Sequence, residues 1–383
     1  MIFKVCPCDI GIITHFLSEK DRPMGRQTLF IEACLNAAGK YHIEAAVFDP
    51  VDLWKSRGEN SEGYSHDGGK WIRKKFNFPR VIYDRYYSKI TGFDPEIEKI
   101  KDNLNRNCYF INPPEFARMA TDKILFFKKM CEYRVKTPRI ICERLECVND
   151  LRESFKGHDQ VIIKPAYGRM GKGIIRVKRQ AGRFEVIMDD FSLTCKTEAE
   201  MTGAIRYSAG TLGMSTNDFI IQEMVRIVDE GRQWFDIRVL MQRGGEGNPE
   251  ITGMVARVSA GKKGVPNLDR GGIAVDGEQW LQWAVKTVEW DGVKRQIWES
   301  AGSLYRLLEK EYGLIGEIGM DLLVDEQNNV WILEINSKPG RWALLRLATG
   351  FGMSESQRQK YSMLRESSIE KVILYGKKLF ERT

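Results

Sequence analysis

The sequence predicts a mixed α/β (α+β) fold that is divided into two or three lobes. The chain has 383 residues, which is more than a single hydrophobic core usually organises. Short apolar runs typical of β-strands alternate with amphipathic helical segments along the chain. The hydrophobic share of 43% and the charged share of 29% are those of an ordinary globular protein.

The first lobe is predicted over residues 1–112 as an open α/β domain. Apolar strand patterns occur at 2–5, 43–48 and 81–83, and a helical pattern occupies 28–38. Residues 55–70 are rich in glycine, serine, asparagine and charged side chains, so we expect a long irregular loop there.

A second lobe is predicted over residues 113–225. It begins at the break Asn112-Pro113-Pro114, where proline is well placed to start a helix. Another helical pattern follows from about Thr121. Two strands, at 161–165 and 174–178, flank a glycine-rich loop, and a further apolar strand covers 219–223.

The third predicted lobe covers residues 226–383. Its strand patterns lie at 237–242, 251–258, 318–324 and 330–335, and they alternate with helical segments. From Ser354 onward the chain has the pattern of an amphipathic helix, which we expect to pack on the body of the protein.

The composition argues against several classes of protein. The formal net charge is +7, but lysines and arginines do not interleave with aromatics, so a solvated face is favoured over a nucleic-acid surface. No apolar run approaches the ~18–20 residues of a membrane span, and the N-terminus resembles a strand more than a signal peptide. The eight cysteines and four histidines show no zinc-like spacing. We therefore expect a cytoplasmic protein without a membrane or nucleic-acid partner.

The segment 316–340 predicts a metal-binding β-hairpin. Strands at 318–324 and 330–335 flank a polar turn, so Asp321 and Glu334 are expected to lie side by side across the pair. Asn336 shares the face of Glu334 because it lies two residues further on. Two carboxylates and a carboxamide oxygen are ligands suited to Mg²⁺. The alternative is a hairpin whose polar face merely meets solvent.

The glycine-rich loop is a candidate phosphate-binding element. Lys164 ends an apolar strand, and Gly168, Gly171 and Gly173 follow, so backbone N–H groups of a mobile loop can surround phosphates. The loop leads into a strand and lacks the GxxxxGK[ST] pattern, which excludes a P-loop. Taken alone, the same glycines also fit a plain hairpin turn.

In this order, the two motifs resemble the ATP-grasp superfamily, and within it the YheC/YheD-type branch of spore-forming bacteria. The resemblance covers roughly residues 112–345 and extends weakly to 79–86. It implies an ATP-grasp fold with an N-terminal pre-ATP-grasp domain at 1–112. A central ATP-grasp domain with the glycine-rich lid would span 113–225. The C-terminal ATP-grasp domain, with the magnesium site and the terminal helix, would span 226–383.

The resemblance also implies roles for individual residues in nucleotide binding. The two phosphate-binding lysines would be Lys123 and Lys164, and the lid would contain Gly168, Gly171 and Gly173. The segment with Gln222, Glu223 and Val225 resembles the hinge that binds adenine. Glu230 is the expected ribose contact, with Asp229 as the alternative.

For catalysis the resemblance implies Arg238 and Arg257 at the transferring phosphoryl group, and Asn267 in the loop that closes over the reacting groups. Asp321, Glu334 and Asn336 match the magnesium triad without substitution. The alternatives are a surface ion pair for each arginine and a helix-surface position for Lys123.

Such a site implies an ATP-dependent carboxylate–amine ligase, with ATP and Mg²⁺ as cofactors. The reaction would pass through an acyl-phosphate and release ADP and phosphate. Its substrate would be a small molecule or peptide with a carboxylate, joined to an amine. The alternatives are an ATP-binding structural protein associated with the spore coat and another phosphoryl-transfer enzyme of this fold. A weak hint of an acidic ligand comes from Arg85, Lys262, Lys263 and Arg270.

Overall fold

The computed structural model of the protein describes most of the chain. The described residues are 5–17, 22–88, 94–168, 171–188, 191–228, 233–245, 247–259, 266, 268, 271–285, 289–350 and 353–382. Within them the chain forms three β-sheets and eleven α-helices. Each sheet is built from one consecutive stretch of the sequence, so the three sheets follow each other along the chain.

The first sheet lies in the N-terminal part of the chain and has six strands, in the order β4-β3-β2-β1-β5-β6. Strand β1 pairs in parallel with both β2 and β5, which makes it the centre of the parallel part. The strands are β1 (Ile10–Ile13), β2 (Ala45–Phe48), β3 (Ser61–Asp67), β4 (Lys70–Phe76), β5 (Val81–Asp84) and β6 (Tyr109–Phe110). The helices that connect them are α1 (Thr28–Lys40), α2 (Pro50–Lys55) and α3 (Pro95–Leu104).

The expectation of a long irregular loop over 55–70 is wrong, because most of this segment belongs to a hairpin of β3 and β4. The two strands pair antiparallel from Ser61 opposite Phe76 to Asp67 opposite Lys70. Gly68 and Gly69 form the turn with φ of 54° and 77°, the left-handed geometry that favours glycine in two-residue hairpin turns. The hairpin extends the sheet at its edge, where polar and charged side chains remain in solvent, so its strands lack the apolar alternation of a buried pair.

The second sheet is entirely antiparallel, with the strand order β11-β10-β9-β8-β12-β7. Its strands are β7 (Ile140–Cys142), β8 (Gln160–Pro165), β9 (Ile175–Gln180), β10 (Arg183–Met188), β11 (Phe191–Cys195) and β12 (Phe219–Glu223). Helices α4 (Pro114–Thr121) and α5 (Lys123–Glu132) precede it, and α6 (Val148–Ser154) and α7 (Glu198–Thr211) cover one face.

The third sheet is also antiparallel, with the order β15-β14-β13-β16-β17. Its strands are β13 (Phe235–Arg243), β14 (Pro249–Val258), β15 (Ile273–Asp276), β16 (Glu317–Val324) and β17 (Val330–Asn336). Helices α8 (Gly277–Ala284) and α9 (Trp290–Tyr312) line one face, and α10 (Trp342–Thr349) follows the last strand. The predicted hairpin of β16 and β17 is confirmed: Asp321 lies opposite Glu334, and Asn336 lies opposite Gly319.

The terminal helix α11 (Glu355–Phe380) packs on the first sheet, although it is more than 270 residues away from most of that sheet in sequence. Its buried Ile369, Val372 and Ile373 join one core cluster with Ile10 and Val81 of the N-terminal strands. Residues three and four apart lie on one face of a helix, which explains why these positions reach the same core. Because α11 also contacts β13 and β14, it links the first sheet to the third.

The second and third sheets each bury one face against helices. Part of the other face is covered by α5 in the second sheet and by α10 and α11 in the third, and the rest of it lines a shared cleft. Val161, Ile163 and Val177 of the second sheet are buried beneath α6 and α7, so Lys164 lies on the opposite face by strand alternation. In the third sheet, Ile237 and Val239 contribute to the core that contains α9, which leaves Arg238 on the cleft side. In the part of the chain that the model describes, no helix has the length and apolar character of a membrane span.

Candidate nucleotide and metal site

The carboxylate wall of the cleft is formed by side chains that alternate along adjacent strands of the third sheet. Asp236 and Arg238 lie on the same face of β13 because they are two residues apart. Arg257 of β14 lies opposite Asp236, and Asp321 of β16 lies opposite Arg238. Glu334 of β17 continues this row beyond Asp321. The register of four strands therefore brings together side chains that are about 100 residues apart in sequence.

These side chains form a continuous ion-pair network. Both oxygens of Asp321 accept hydrogen bonds from Arg238, through Nε and, at 2.8 Å, through Nη2. Arg257 donates from Nη2 to Asp321 Oδ2 at 2.7 Å, and from Nε and Nη2 to the two oxygens of Asp236, each at 2.6 Å. The alternative of a surface ion pair does not hold for Arg238 and Arg257, since only 17% and 16% of their side chains are exposed.

The two aspartates of this network differ in proton affinity. Burial would raise the pKa of Asp321, but the positive charges of Arg238 and Arg257 hold that pKa well below its usual range. For Asp236 burial dominates over the pairing with Arg257 and raises the pKa to about 6. Asp321 is therefore ionised at neutral pH, as a metal ligand must be.

The contact between Asp321 and Glu334 fits the binding of a cation. The two residues lie directly opposite each other on paired strands, so their carboxylates are neighbours on one face of the sheet, and a cation between them would offset their mutual repulsion. In the described residues, no three His, Cys, Asp or Glu side chains come together as a metal cluster. The predicted set of two carboxylates with Asn336 still suits Mg²⁺, because this ion uses one or two carboxylates and completes its shell with water and phosphate.

Lys164 forms the centre of the opposite wall. It lies in β8, opposite Ile220 of β12, and its side chain is buried with 9% of the residue exposed. Burial, together with the nearby charge of Lys123, lowers the pKa of Lys164 to about 8, and the charge of Glu334 acts in the other direction. The two walls therefore face each other. Among the described residues, Lys164 makes no hydrogen bond or ion pair, so its ammonium group lacks the direct anionic contact that such burial requires.

Lys123 is tied to the beginning of the glycine-rich loop. It is the first residue of α5, where Asp122 caps the helix by accepting from the backbone N–H groups of the second and third residues. The Lys123 backbone N–H donates to the Ala166 carbonyl at 3.2 Å, and its ammonium group donates to the Gly168 carbonyl at 3.2 Å. Helix α5 thereby places its first side chain beside Lys164, as the phosphate-binding hypothesis requires.

The glycine-rich loop requires glycine at two of the positions named from the sequence. Gly171 and Gly173 have φ of 64° and 74°, values that residues with a side chain rarely adopt. A Cβ atom at Gly173 would also lie 2.6 Å from Leu212 Cδ1. Residues 169 and 170, between Gly168 and Gly171, lie outside the described part.

The predicted adenine hinge follows β12. Gln222 is buried and donates from Nε2 to the Pro138 carbonyl at 2.8 Å, and Glu223 Oε1 accepts from the Arg139 backbone N–H at 2.7 Å. Both side chains therefore hold the hinge to the preceding loop. The backbone groups of Met224 and Val225 make no hydrogen bond with the described chain. Backbone atoms, more than the side chains of Gln222 and Glu223, are thus available to an adenine ring.

Two of the predicted site residues lie outside the part of the chain that the structure describes. Glu230, the expected ribose contact, and Asn267, expected in the closing loop, lie outside the described residues, as do Asp229, Lys262, Lys263 and Arg270. Their roles remain predictions.

Sequence reasoning missed a second buried polar cluster, which lies between the first and third sheets. Glu317 accepts a hydrogen bond from Arg341 at 2.5 Å and from the Tyr83 hydroxyl at 2.7 Å. Arg85 is 3.8 Å from Glu317 and is itself 3% exposed. The hint that Arg85 binds an acidic ligand is therefore wrong, because this guanidinium is committed to Glu317 inside the protein. Nothing in the sequence around Asp84 and Arg85 indicates that Arg85 has a buried ion-pair partner about 230 residues further along the chain.

A family model described as YheC/D-like ATP-grasp matches residues 107–364, a range that includes every wall of the cleft described above. The chain belongs to the YheC/D-like ATP-grasp family. One relative of this chain is the endospore coat-associated protein YheC of Bacillus subtilis (strain 168). The two are 23% identical over 316 residues, which are 81% of this chain and 85% of the relative.

A glutathione synthetase from Bradyrhizobium diazoefficiens is 25% identical over 246 residues, 64% of this chain and 61% of that enzyme. Among solved structures, D-cycloserine synthetase superposes with a TM-score of 0.53 at 13% identity, covering 94% of this chain and 99% of that one. This structural likeness confirms the predicted ATP-grasp fold for this YheC/D-like chain.

Proposed function

We propose that this YheC/D-like protein is an ATP-dependent ligase that joins a carboxylate to an amine through an acyl-phosphate. The observation that carries the proposal is Lys164, which is buried without a hydrogen bond or ion pair to any described residue and faces the Asp321–Glu334 pair across the cleft. One wall thus offers cations for phosphate oxygens, and the other offers carboxylates for a metal ion. That combination suits a magnesium nucleotide and needs no acid–base side chain at the reacting atoms.

In the proposed reaction, an oxygen of the substrate carboxylate attacks the γ-phosphorus of ATP, and the bond to the β-phosphate oxygen breaks to release ADP. The amine then attacks the acyl carbon, loses a proton and expels phosphate. Mg²⁺ held by Asp321, Glu334 and Asn336 would supply charge neutralisation for the phosphates. Lys164 and Lys123 would bind phosphate oxygens. Arg238 and Arg257 would orient Asp321 and would stabilise negative charge on the transferring phosphoryl group.

The relatives lend support of different kinds. Glutathione synthetase and D-cycloserine synthetase are named as synthetases, which agrees with ligase chemistry. The relative named endospore coat-associated favours a second candidate, an ATP-binding structural protein of the spore coat. The two candidates differ in one property, because only the ligase turns ATP over.

Product analysis separates these candidates. The protein is incubated with Mg·ATP and pools of amino acids, dipeptides and polyamines, and nucleotides are separated by chromatography. Glu334→Gln serves as the matched control, since it removes one carboxylate charge at a half-exposed position. ADP and phosphate that depend on both a pool and Glu334 support the ligase. AMP and pyrophosphate contradict the acyl-phosphate route, and nucleotide binding without turnover in any pool favours the structural protein.

A further inference from the structure

A cation–π contact joins the second and third sheets at the cleft. The guanidinium carbon of Arg176 lies 4.4 Å from the ring centroid of Trp234. Such a contact is attractive because the face of an indole ring carries negative electrostatic potential. Both residues are half-buried, so the contact is only partly screened by solvent.

Arg176 lies on the same wall as Lys164. In β9 it sits opposite Ile162 of β8, and Ile162 and Lys164 share a face because they are two residues apart. The neighbours of Arg176 in the strand, Ile175 and Val177, are buried on the other face beneath the helices of the second sheet. Arg176 therefore extends toward the third sheet.

Trp234 lies on the wall that carries the carboxylates. It immediately precedes β13, and its pairing with β14 continues through Ser259, whose backbone N–H donates to the Trp234 carbonyl at 2.8 Å. Ser259 Oγ also accepts from the Trp234 N–H at 3.1 Å. By alternation, Trp234 is on the same face as Asp236 and Arg238. The contact with Arg176 thus crosses the cleft from one wall to the other.

We propose that Arg176 and Trp234 are positioning residues that hold the lysine wall and the carboxylate wall at the separation required for a bound nucleotide. The inference rests on the proposed function, since it concerns the same nucleotide site. A single cation–π contact is weak enough to break when nucleotide enters and leaves, yet strong enough to favour the arrangement in which the two walls face each other as observed. Neither residue needs to touch a reacting atom for this role.

The test is the dissociation rate of a fluorescent ATP analogue, measured by stopped flow with Mg²⁺ and an excess of unlabelled ATP. Arg176→Gln and Trp234→Leu are each expected to raise this rate roughly 3- to 30-fold, the range that corresponds to one cation–π contact. Arg176→Lys and Trp234→Phe keep a cation and a ring, so they should stay within about threefold of the parent protein.

The matched control is Arg179→Gln on the same strand. Its guanidinium lies 5.4 Å from the Phe155 ring, but this contact stays within the second sheet and its helices, so its loss should leave the dissociation rate unchanged. Dissociation rates for Arg176→Gln and Trp234→Leu that equal the control would overturn the inference and leave the proposed function intact. If the parent protein does not bind the analogue at all, that result contradicts both the inference and the proposed function.

Discussion

Replacing Lys164 with methionine is expected to stabilise the protein and to weaken nucleotide binding at the same time. The side chain is buried without a partner in the described residues, and its pKa falls from 10.5 to about 8. Each tenfold change in proton affinity corresponds to about 1.4 kcal/mol, so the charged lysine costs the folded state roughly 3 kcal/mol. Methionine has a similar length without the charge, and it removes this cost.

The pH dependence of this gain has a definite sign. The pKa of Lys164 is lower in the folded protein than in the unfolded chain, so the folded state carries the full cost at pH values below about 8. The cost disappears as the pH rises through the pKa of the unfolded chain, near 10.5. Lys164→Met should therefore increase the free energy of unfolding by about 1–3 kcal/mol at pH 7 and by little at pH 10.5.

Urea denaturation at both pH values measures this gain, and titration with a fluorescent ATP analogue measures binding. We expect binding to weaken at least about 10-fold, because a charge-assisted hydrogen bond to phosphate contributes roughly 1.5–3 kcal/mol. Lys156→Met is the control, since that lysine is 71% exposed and should change neither quantity. Lower stability of Lys164→Met at pH 7, or unchanged nucleotide affinity, would refute the reasoning that Lys164 is held in place for an anion.

Three further predictions concern charge. Nucleotide affinity of the parent protein should decline above pH 8 as Lys164 loses its proton, whereas Lys164→Arg, if it binds, should show no such decline in titrations at pH 7–9.5. Glu334→Gln should raise the Mg²⁺ concentration required for half-maximal nucleotide binding about 10-fold while changing the unfolding free energy by less than about 1 kcal/mol. An unchanged Mg²⁺ titration would contradict the role of Glu334 as a metal ligand. Arg341→Met should cost roughly 3–5 kcal/mol in urea denaturation because it leaves the buried Glu317 without its main partner, and the exposed Arg152→Met should cost at most about 1 kcal/mol.

The hairpin of β16 and β17 could be predicted from the sequence because two apolar strands flank a polar turn. The expected pairing of Asp321 with Glu334 is observed, but it also depends on a register shift: the turn places Leu322 opposite Ile332, and a β-bulge between Asp321 and Leu322 moves Glu334 opposite Asp321. Alternation along a strand then placed Asn336 on the same face as Glu334. In the same way, the strand near whose end Lys164 lies and the glycines that follow it are local patterns.

The β3–β4 hairpin shows where local reasoning failed. Its strands lie at a sheet edge and carry polar residues on both faces, so they lack the apolar alternation on which the prediction of strands depends. The Gly68-Gly69 pair was the one signal that favoured a two-residue turn. The wrong expectation of an irregular loop rested on composition alone.

The sequence by itself determined the fold class, the hairpin of β16 and β17, and the position of Lys164 near the end of a strand before the glycine-rich loop. Only the tertiary structure decided what the side chains of the cleft contact. In the folded protein, Arg238 and Arg257 donate hydrogen bonds to Asp321. Lys164 has no hydrogen bond or ion pair among the described residues, and Arg176 lies over the ring of Trp234. The physical reason is that alternation and turn chemistry act over a few residues, whereas contacts between sheets depend on how distant segments pack, which no local pattern encodes.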